Sequence, residues 1–143
     1  ALALLVDGET KYLETVLNPE GLPWFERITK PVDAILHCVI GHKPDLVVME
    51  DYARSIHGSA SLVGLIELGG LIKHHLHREG YVEGANFFVQ NSSQMKKFNL
   101  GVGKVTKDSR YLLTVKEKTG CSFSDDNQAD AYMHARLGDA AYR

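Results

Sequence analysis

The sequence is short of the features that would place it in a class at a glance. It has two cysteines, Cys38 and Cys121, far apart and outside any metal-ligand spacing. They read as reduced, structural thiols of a cytosolic protein rather than a disulfide framework. No apolar stretch is long enough to span a membrane, and no signal peptide is visible. There is no internal repeat and no low-complexity linker. A net charge of -2 gives no global support for nucleic-acid binding, so any such case must rest on local clustering. What remains is ordinary for a globular protein: 143 residues, 44% hydrophobic and 24% charged. That length suits one domain spanning 1–143, with a core and two layers of helix around a sheet.

The stretch around which the rest is organised is Pro44 to Asp51. Leu46 to Met49 form an unbroken apolar run between Pro44 and the acidic pair Glu50-Asp51. Such a run suits a short strand covered on both faces. A carboxylate at the carboxyl end of such a strand stands where open α/β sheets place their ligands. The plainer alternative is a strand that ends at a solvated acidic pair.

Upstream, Ala1 to Val6 and Lys11 to Leu17 are strand-like, and Asp7-Gly8 between them is a hairpin signal, because type I′ turns need positive φ at both central positions. Asn18-Pro19-Glu20-Gly21 breaks the pattern. Apolar residues from Trp24 to Ile40 fall at helical spacing, with Pro31 expected to kink or restart the helix and Gly41 to stop it. Downstream, a helix capped by Ser59 or Ser61 is expected to reach Glu79 and close at Gly80. Its Gly64, Gly69 and Gly70 imply close packing against the sheet. Asn86 to Gln90 reads as a last strand and Asn91 to Thr106 as a basic loop with at most one helical turn. Lys107 to Lys118 and Asp126 to Tyr142 read as helices. The order of elements indicates a mixed β-sheet flanked by α-helices in an α/β fold.

Two clusters could carry chemistry. In the last helix Asp126 and Asp130 share a face, with Asn127 and His134 close to it. Acids in a first turn complement the helix dipole, which accounts for Asp125 and Asp126. It accounts poorly for Asp130, set between Ala129, Ala131 and Met133, because an acid among apolar residues is costly to bury without a cationic partner. A divalent metal shared with Glu50 would be such a partner. The second cluster runs from Gln94 to Arg110, where Lys96, Lys97, Lys104, Lys107 and Arg110 face one acid, Asp108. Gly101 and Gly103 allow close backbone approach. A phosphate backbone is the natural partner, and a solvated surface is the alternative. His74, His75 and His77 lack the spacing of a zinc helix and read as an exposed helix end.

In this order the parts resemble the RuvC family of Holliday junction resolvases, which has a ribonuclease H-like fold. The resemblance rests on Val47-Val48-Met49-Glu50, then Gln94, Lys96, Gly101, Gly103 and Lys107, then Ala129-Asp130-Ala131, and it extends over nearly the whole chain. It is closest to the shorter phage-type members. It implies a homodimer in the cytoplasm of a bacterial or phage-infected cell, with no membrane contact, that binds four-way DNA junctions and nicks two strands symmetrically. It implies catalysis by Glu50, Asp130 and Lys107, metal ligation by Glu50, Asp126, Asn127 and Asp130, and DNA contacts from Lys96, Lys97, Lys104, Lys107 and Arg110. The cofactor would be two Mg²⁺ ions, with Mn²⁺ as a substitute. Hydrolysis of a phosphodiester needs an activated water and charge neutralised on the attacking and leaving oxygens. Two ions roughly 3.5–4 Å apart do both, and a nearby lysine stabilises the transition state. Other branched-DNA nucleases of this fold, or a junction binder without activity, are the rivals.

The chain departs from the family pattern twice. Asn127 stands where the family has an acid or histidine three residues before its last aspartate. The family's first strand, which carries its first aspartate, has no counterpart before Ala1, where the sequence starts in an apolar run without an initiator Met. Either Asp7 supplies that carboxylate, or Ala1 to Val6 is the second strand of a hairpin and Asp7 lies at the far end of the sheet from Glu50. The Asp-Gly turn and the spacing to Glu50 favour the hairpin. The expectation is then an additional amino-terminal strand bearing an aspartate, with residues 1–143 lacking one metal ligand and cutting poorly.

Overall fold

The structure is a computed structural model and describes residues 1–15, 21–51 and 60–142; of Tyr12, Ala60, Ser61 and Leu62 it describes the backbone. The expected ends at Val16 and Leu17, the break at Asn18-Pro19-Glu20 and the cap at Ser59 lie outside the described residues, as does the side chain of the alternative cap, Ser61.

The first two strands, β1 (Leu2–Val6) and β2 (Glu9–Glu14), pair antiparallel. Asp7 (φ 52) and Gly8 (φ 81) turn the chain between them, the two positive φ values that Asp-Gly provides most cheaply. Helix α1 (Trp24–His42) runs straight through Pro31 and past Gly41 as one element. Its end is capped by Lys43 in the left-handed region (φ 46), whose N–H donates to the Val39 carbonyl at 2.8 Å. The expected restart at Pro31 and stop at Gly41 are therefore replaced by a Lys43 cap, one residue before Pro44 takes the chain out of helical geometry.

Strand β3 (Val47–Glu50) pairs in parallel with β4 (Phe87–Gln90), placing Glu50 opposite Gln90. Between them lies α2 (Ala60–Arg78), closed by Gly80 at positive φ. The three glycines of α2 were expected against the sheet. Gly64 instead approaches another helix: a Cβ there would meet the Trp24 ring at 2.6 Å.

The segment after β4 is more ordered than its polarity suggests. Helix α3 (Ser92–Leu100) occupies most of the expected loop. Asn91 caps it, its side chain accepting from the Ser93 N–H at 2.8 Å, and Gly101 ends it in the left-handed region. Met95, Asn99 and Leu100 point inward, while Lys97 is exposed and Lys96 is part-buried. Helix α4 (Tyr111–Thr119) starts four residues later than Lys107, and α5 (Asp126–Tyr142) has the expected bounds.

The core has two parts. Val32, Val39, Ile72, Leu76 and Phe87 join α1 and α2 to the parallel pair, with Val47 and Met49 packed against them. Met95, Leu100, Tyr111, Val115, Ala129 and Met133 join α3, α4 and α5, with Ala3 and Leu5 of β1 packed against that group. Helix α5 backs both strand pairs. Strand alternation sends Val47 and Met49 toward α1 and α2, and Val48 toward α5, so both faces of β3 are covered as its apolar run implied.

Among the described residues β1 pairs with β2 and β3 with β4, and the two pairs are not hydrogen-bonded to each other, which differs from the single mixed sheet expected. A cavity of about 450 Å³ lies between them, lined by residues 1–5 on one side and 46–50 on the other. Among the described residues, no helix is long and apolar enough to cross a membrane.

Candidate active site

The site is built on one ridge of α5. Asp126, Asp130, His134 and Gly138 recur every four residues, which stacks them along one side of the helix. Gly138 sets the distance between that ridge and β3. A Cβ at this position would lie inside van der Waals contact with Val48. The close approach at Gly138 brings His134 within 4.0 Å of Glu50 at the carboxyl end of β3.

Asp130 is the centre of the group and is buried, 7% exposed. The Tyr111 hydroxyl donates to its Oδ1, and the Lys107 ammonium lies 2.6 Å from its Oδ2. Lys107 also reaches Asp126 Oδ2 at 3.1 Å. Burial alone would lower the Lys107 pKa, but the hydrogen bonds to Asp130 and Asp126 outweigh it and the group is held above its ordinary value. The cationic partner that Asp130 needed is thus Lys107. Tyr111 is pushed well up, first by burial and then by its bond to the Asp130 carboxylate.

Glu50 stands apart from this ion pair, with its side chain half-exposed. Its pKa is raised above the usual carboxylate range, by desolvation first and by the charge of Asp130 second. The pull of Lys107, a hydrogen bond from Ser92 and the charge of Lys96 offset this only in part. An acid whose ionisation is opposed by burial and by a neighbouring carboxylate, as Glu50 is, gains from an added cation. His134 is buried at 5% exposed, and burial lowers its pKa to about 4 against the opposing charge of Asp130.

Asp125 has a different task. Its Oδ1 accepts from the Gln128 N–H at 2.9 Å and its Oδ2 from the Thr15 hydroxyl at 2.6 Å, which holds its carboxyl below the usual range. It starts α5 and ties it to the end of the hairpin. The amino end of β1 approaches the acids, since Ala1 lines the cavity together with Glu50, Asp130 and Lys107. Asp7 is at the other end of β1, six residues along an extended chain and so roughly 20 Å away.

The structure joins Asp126, Asp130 and Lys107 by ion pairs and places Glu50 within electrostatic reach of Asp130 and Lys107, with Asn127 at the cavity wall. The ammonium groups of Lys96 and Lys107 lie 5.9 Å and 5.8 Å from the centre of the Tyr111 ring. Lys97, Lys104 and Arg110 are exposed and outside the acid cluster. The sequence reading missed Tyr111, Gln90 and Ser92. The signals were slight: an aromatic residue opening a helix, and polar residues directly after an apolar strand.

The donor chemistry fits a hard divalent cation, because Glu50, Asp126 and Asp130 offer oxygen and the Lys107 ammonium already occupies a cation's place between two of them. The number falls short. Among the described residues no three His, Cys, Asp or Glu side chains converge closely enough to hold a metal.

No protein-family model matches the chain, and no curated protein sequence matches it. Among solved structures it is similar to that of Thermus thermophilus RuvC, with TM-score 0.67 and 18% identity over 93% of this chain and 80% of that one. It is also similar to T. thermophilus RuvC in complex with Holliday junction substrate, with TM-score 0.68 and 19% identity over 99% of this chain and 84% of that one. At such identity the likeness is one of fold, and the shared α/β arrangement extends through nearly all of the chain.

Proposed function

We propose that this chain is the nuclease domain of a metal-dependent, structure-selective DNA endonuclease that resolves four-way junctions by paired nicks. The reading is carried by Glu50, Asp126 and Asp130 gathered with Lys107 at the carboxyl end of β3, in a fold similar to that of a RuvC in complex with Holliday junction substrate. Its sheet is of the ribonuclease H-like kind. Glu50, Asp126, Asn127 and Asp130 would hold the metal; Mg²⁺ is the expected ion, with Mn²⁺ its substitute and two ions the expected number. Such ions supply an acidified water and neutralise charge on the leaving oxygen. Lys107 exchanges its carboxylate partners for the scissile phosphate and stabilises the charge that develops there. Lys96, Lys97, Lys104 and Arg110 contact the DNA backbone.

The remaining ligand comes from an extended segment seated between β1 and β3. Both strands present an open edge to the same cavity, and open edges accept strands. The protein works as a homodimer in the cytoplasm, using the apolar residues that α2 exposes, Val63, Leu65 and Ile66.

One observation favours a second reading. The described acids are too few to hold a metal, as expected of a junction binder that keeps the fold without cutting. The test is to incubate the protein with a synthetic four-way junction and with flap and fork duplexes, with and without Mg²⁺. Binding is followed by gel shift and products are sized on a denaturing gel. Paired junction nicks that need Mg²⁺ support the resolvase. Binding without nicks supports the binder, and equal cutting of flaps and forks supports a broader branched-DNA nuclease.

A further inference from the structure

His134 has an arrangement that the ion pairs do not explain. It is buried on α5, and its Nε2 has no hydrogen-bond partner. That nitrogen points to Glu50 Oε2, 4.0 Å away. Its other ring nitrogen is held by Gln90, which is almost fully buried at the end of β4. The surroundings fix the orientation of the Gln90 amide. Turned so that donors meet acceptors, its Oε1 accepts from the Gly138 N–H at 3.2 Å, and its Nε2 donates to the His134 carbonyl at 3.2 Å and to His134 Nδ1 at 3.0 Å. The opposite orientation would set an NH₂ group against the Gly138 N–H.

This network selects a tautomer. A donor facing Nδ1 makes that nitrogen the acceptor, so in the neutral ring the proton is on Nε2. The N–H then points at the carboxylate. The Glu50 side chain is half-exposed, so a turn about its own bonds would bring its carboxylate into hydrogen-bond range of that N–H.

We propose that His134 is a positioning residue for Glu50: Gln90 fixes it as the Nε2–H tautomer, and it donates to the Glu50 carboxylate and holds it toward Asp130. Glu50 is half-exposed at a strand end with a hydrogen bond from Ser92, and a second donor from α5 restricts it further to orientations that face the cavity. The proposal rests on the metal reading of Glu50 for its consequence, but the proposed hydrogen bond does not itself require metal. Groups that orient a metal-ligating side chain are typically worth 10–100-fold in metal affinity.

The test has two arms, so that a failure of the metal reading is told apart from a failure of this one. In the metal-free, ¹⁵N-labelled chain, long-range imidazole spectra report the His134 tautomer. The expected result is Nε2–H, with a proton resonance that moves in Glu50→Gln. An Nδ1–H tautomer, or a resonance indifferent to Glu50→Gln, overturns the proposal whether or not metal binds. In the second arm Mn²⁺ affinity is measured by the paramagnetic resonance of free Mn²⁺. His134→Leu is expected to weaken it by about 10–100-fold. His134→Gln, whose amide nitrogen can replace the Nε2 donor, should recover most of the loss. Equal affinity in His134→Leu and the parent chain overturns the proposal. Should His134→Leu fail to fold, the spectra of the parent chain and the His134→Gln affinity still decide. A parent chain that binds no Mn²⁺ counts against the metal reading alone, and the spectra then decide this one.

Discussion

Lys107 places its ammonium 2.6 Å from Oδ2 of Asp130, while the Tyr111 hydroxyl takes the other oxygen of the same carboxylate. Tyr111→Phe should therefore leave the fold intact at a cost of about 1–2 kcal/mol, because one buried charge-assisted hydrogen bond is lost. Chemical denaturation measures this. A loss well beyond that range would mean that the hydroxyl supports more than Asp130.

The cations divide into two kinds. Lys107 touches Asp126 and Asp130 of α5, whereas Lys97 is exposed on α3. Lys107→Ala should lower the single-turnover nicking rate by about 10²–10³. Lys97→Ala should weaken binding and reduce the salt slope by about 1. Equal, salt-independent effects from both would make the basic segment a solvated surface.

His134 links acidity to stability. Its pKa is near 6.5 when unfolded and lowered to about 4 when folded, because burial disfavours its charged form. The folded state thus binds fewer protons between these values. The resulting stability is present above pH 6.5 and is lost as pH falls toward 4, in total roughly 3 kcal/mol. Glu50, whose pKa is raised, acts in the opposite sense in the more acid part of the range. Urea midpoints of the metal-free chain at several pH values should show the decline, and His134→Leu should flatten it.

Gly138 can be tested through its partner. Gly138→Ala drives a methyl group into Val48 and should cost about 1–3 kcal/mol. Adding Val48→Ala should restore part of that loss, and strictly additive losses would contradict direct contact.

The exposed side of α2 is tested by charge. Val63 and Ile66 are each 56% exposed. Ile66→Glu should leave a folded monomer in sedimentation if this helix forms the dimer, and an unchanged association state would place the interface elsewhere. Leu76, on the same helix, belongs to the core at 1% exposed and is no part of that surface.

Local chemistry was legible where it depended on near neighbours in sequence. The Asp7-Gly8 turn, the bounds of α5 and the position of Glu50 at the end of a short strand follow from turn preferences, periodicity and an apolar run. Helix α3 was missed because its cations hide a buried side of only three residues, and because an Asn91 cap is one residue long. At the site, the i, i+4 spacing revealed Asp126 and Asp130, with His134 one turn on. Tyr111 and Gln90 were not legible, since their roles arise from residues 19 and 44 positions away. The separation of the two strand pairs was equally hidden, because no residue pattern states which edges meet.

The central claim is that Glu50 holds metal rather than DNA. The direct measurement compares Glu50→Gln with the parent chain on a labelled four-way junction in Mg²⁺, recording affinity and nicking together. The account predicts equal junction affinity, slow Mg²⁺-dependent nicking by the parent chain, and none by Glu50→Gln. Nicking by Glu50→Gln at the parent rate would contradict it.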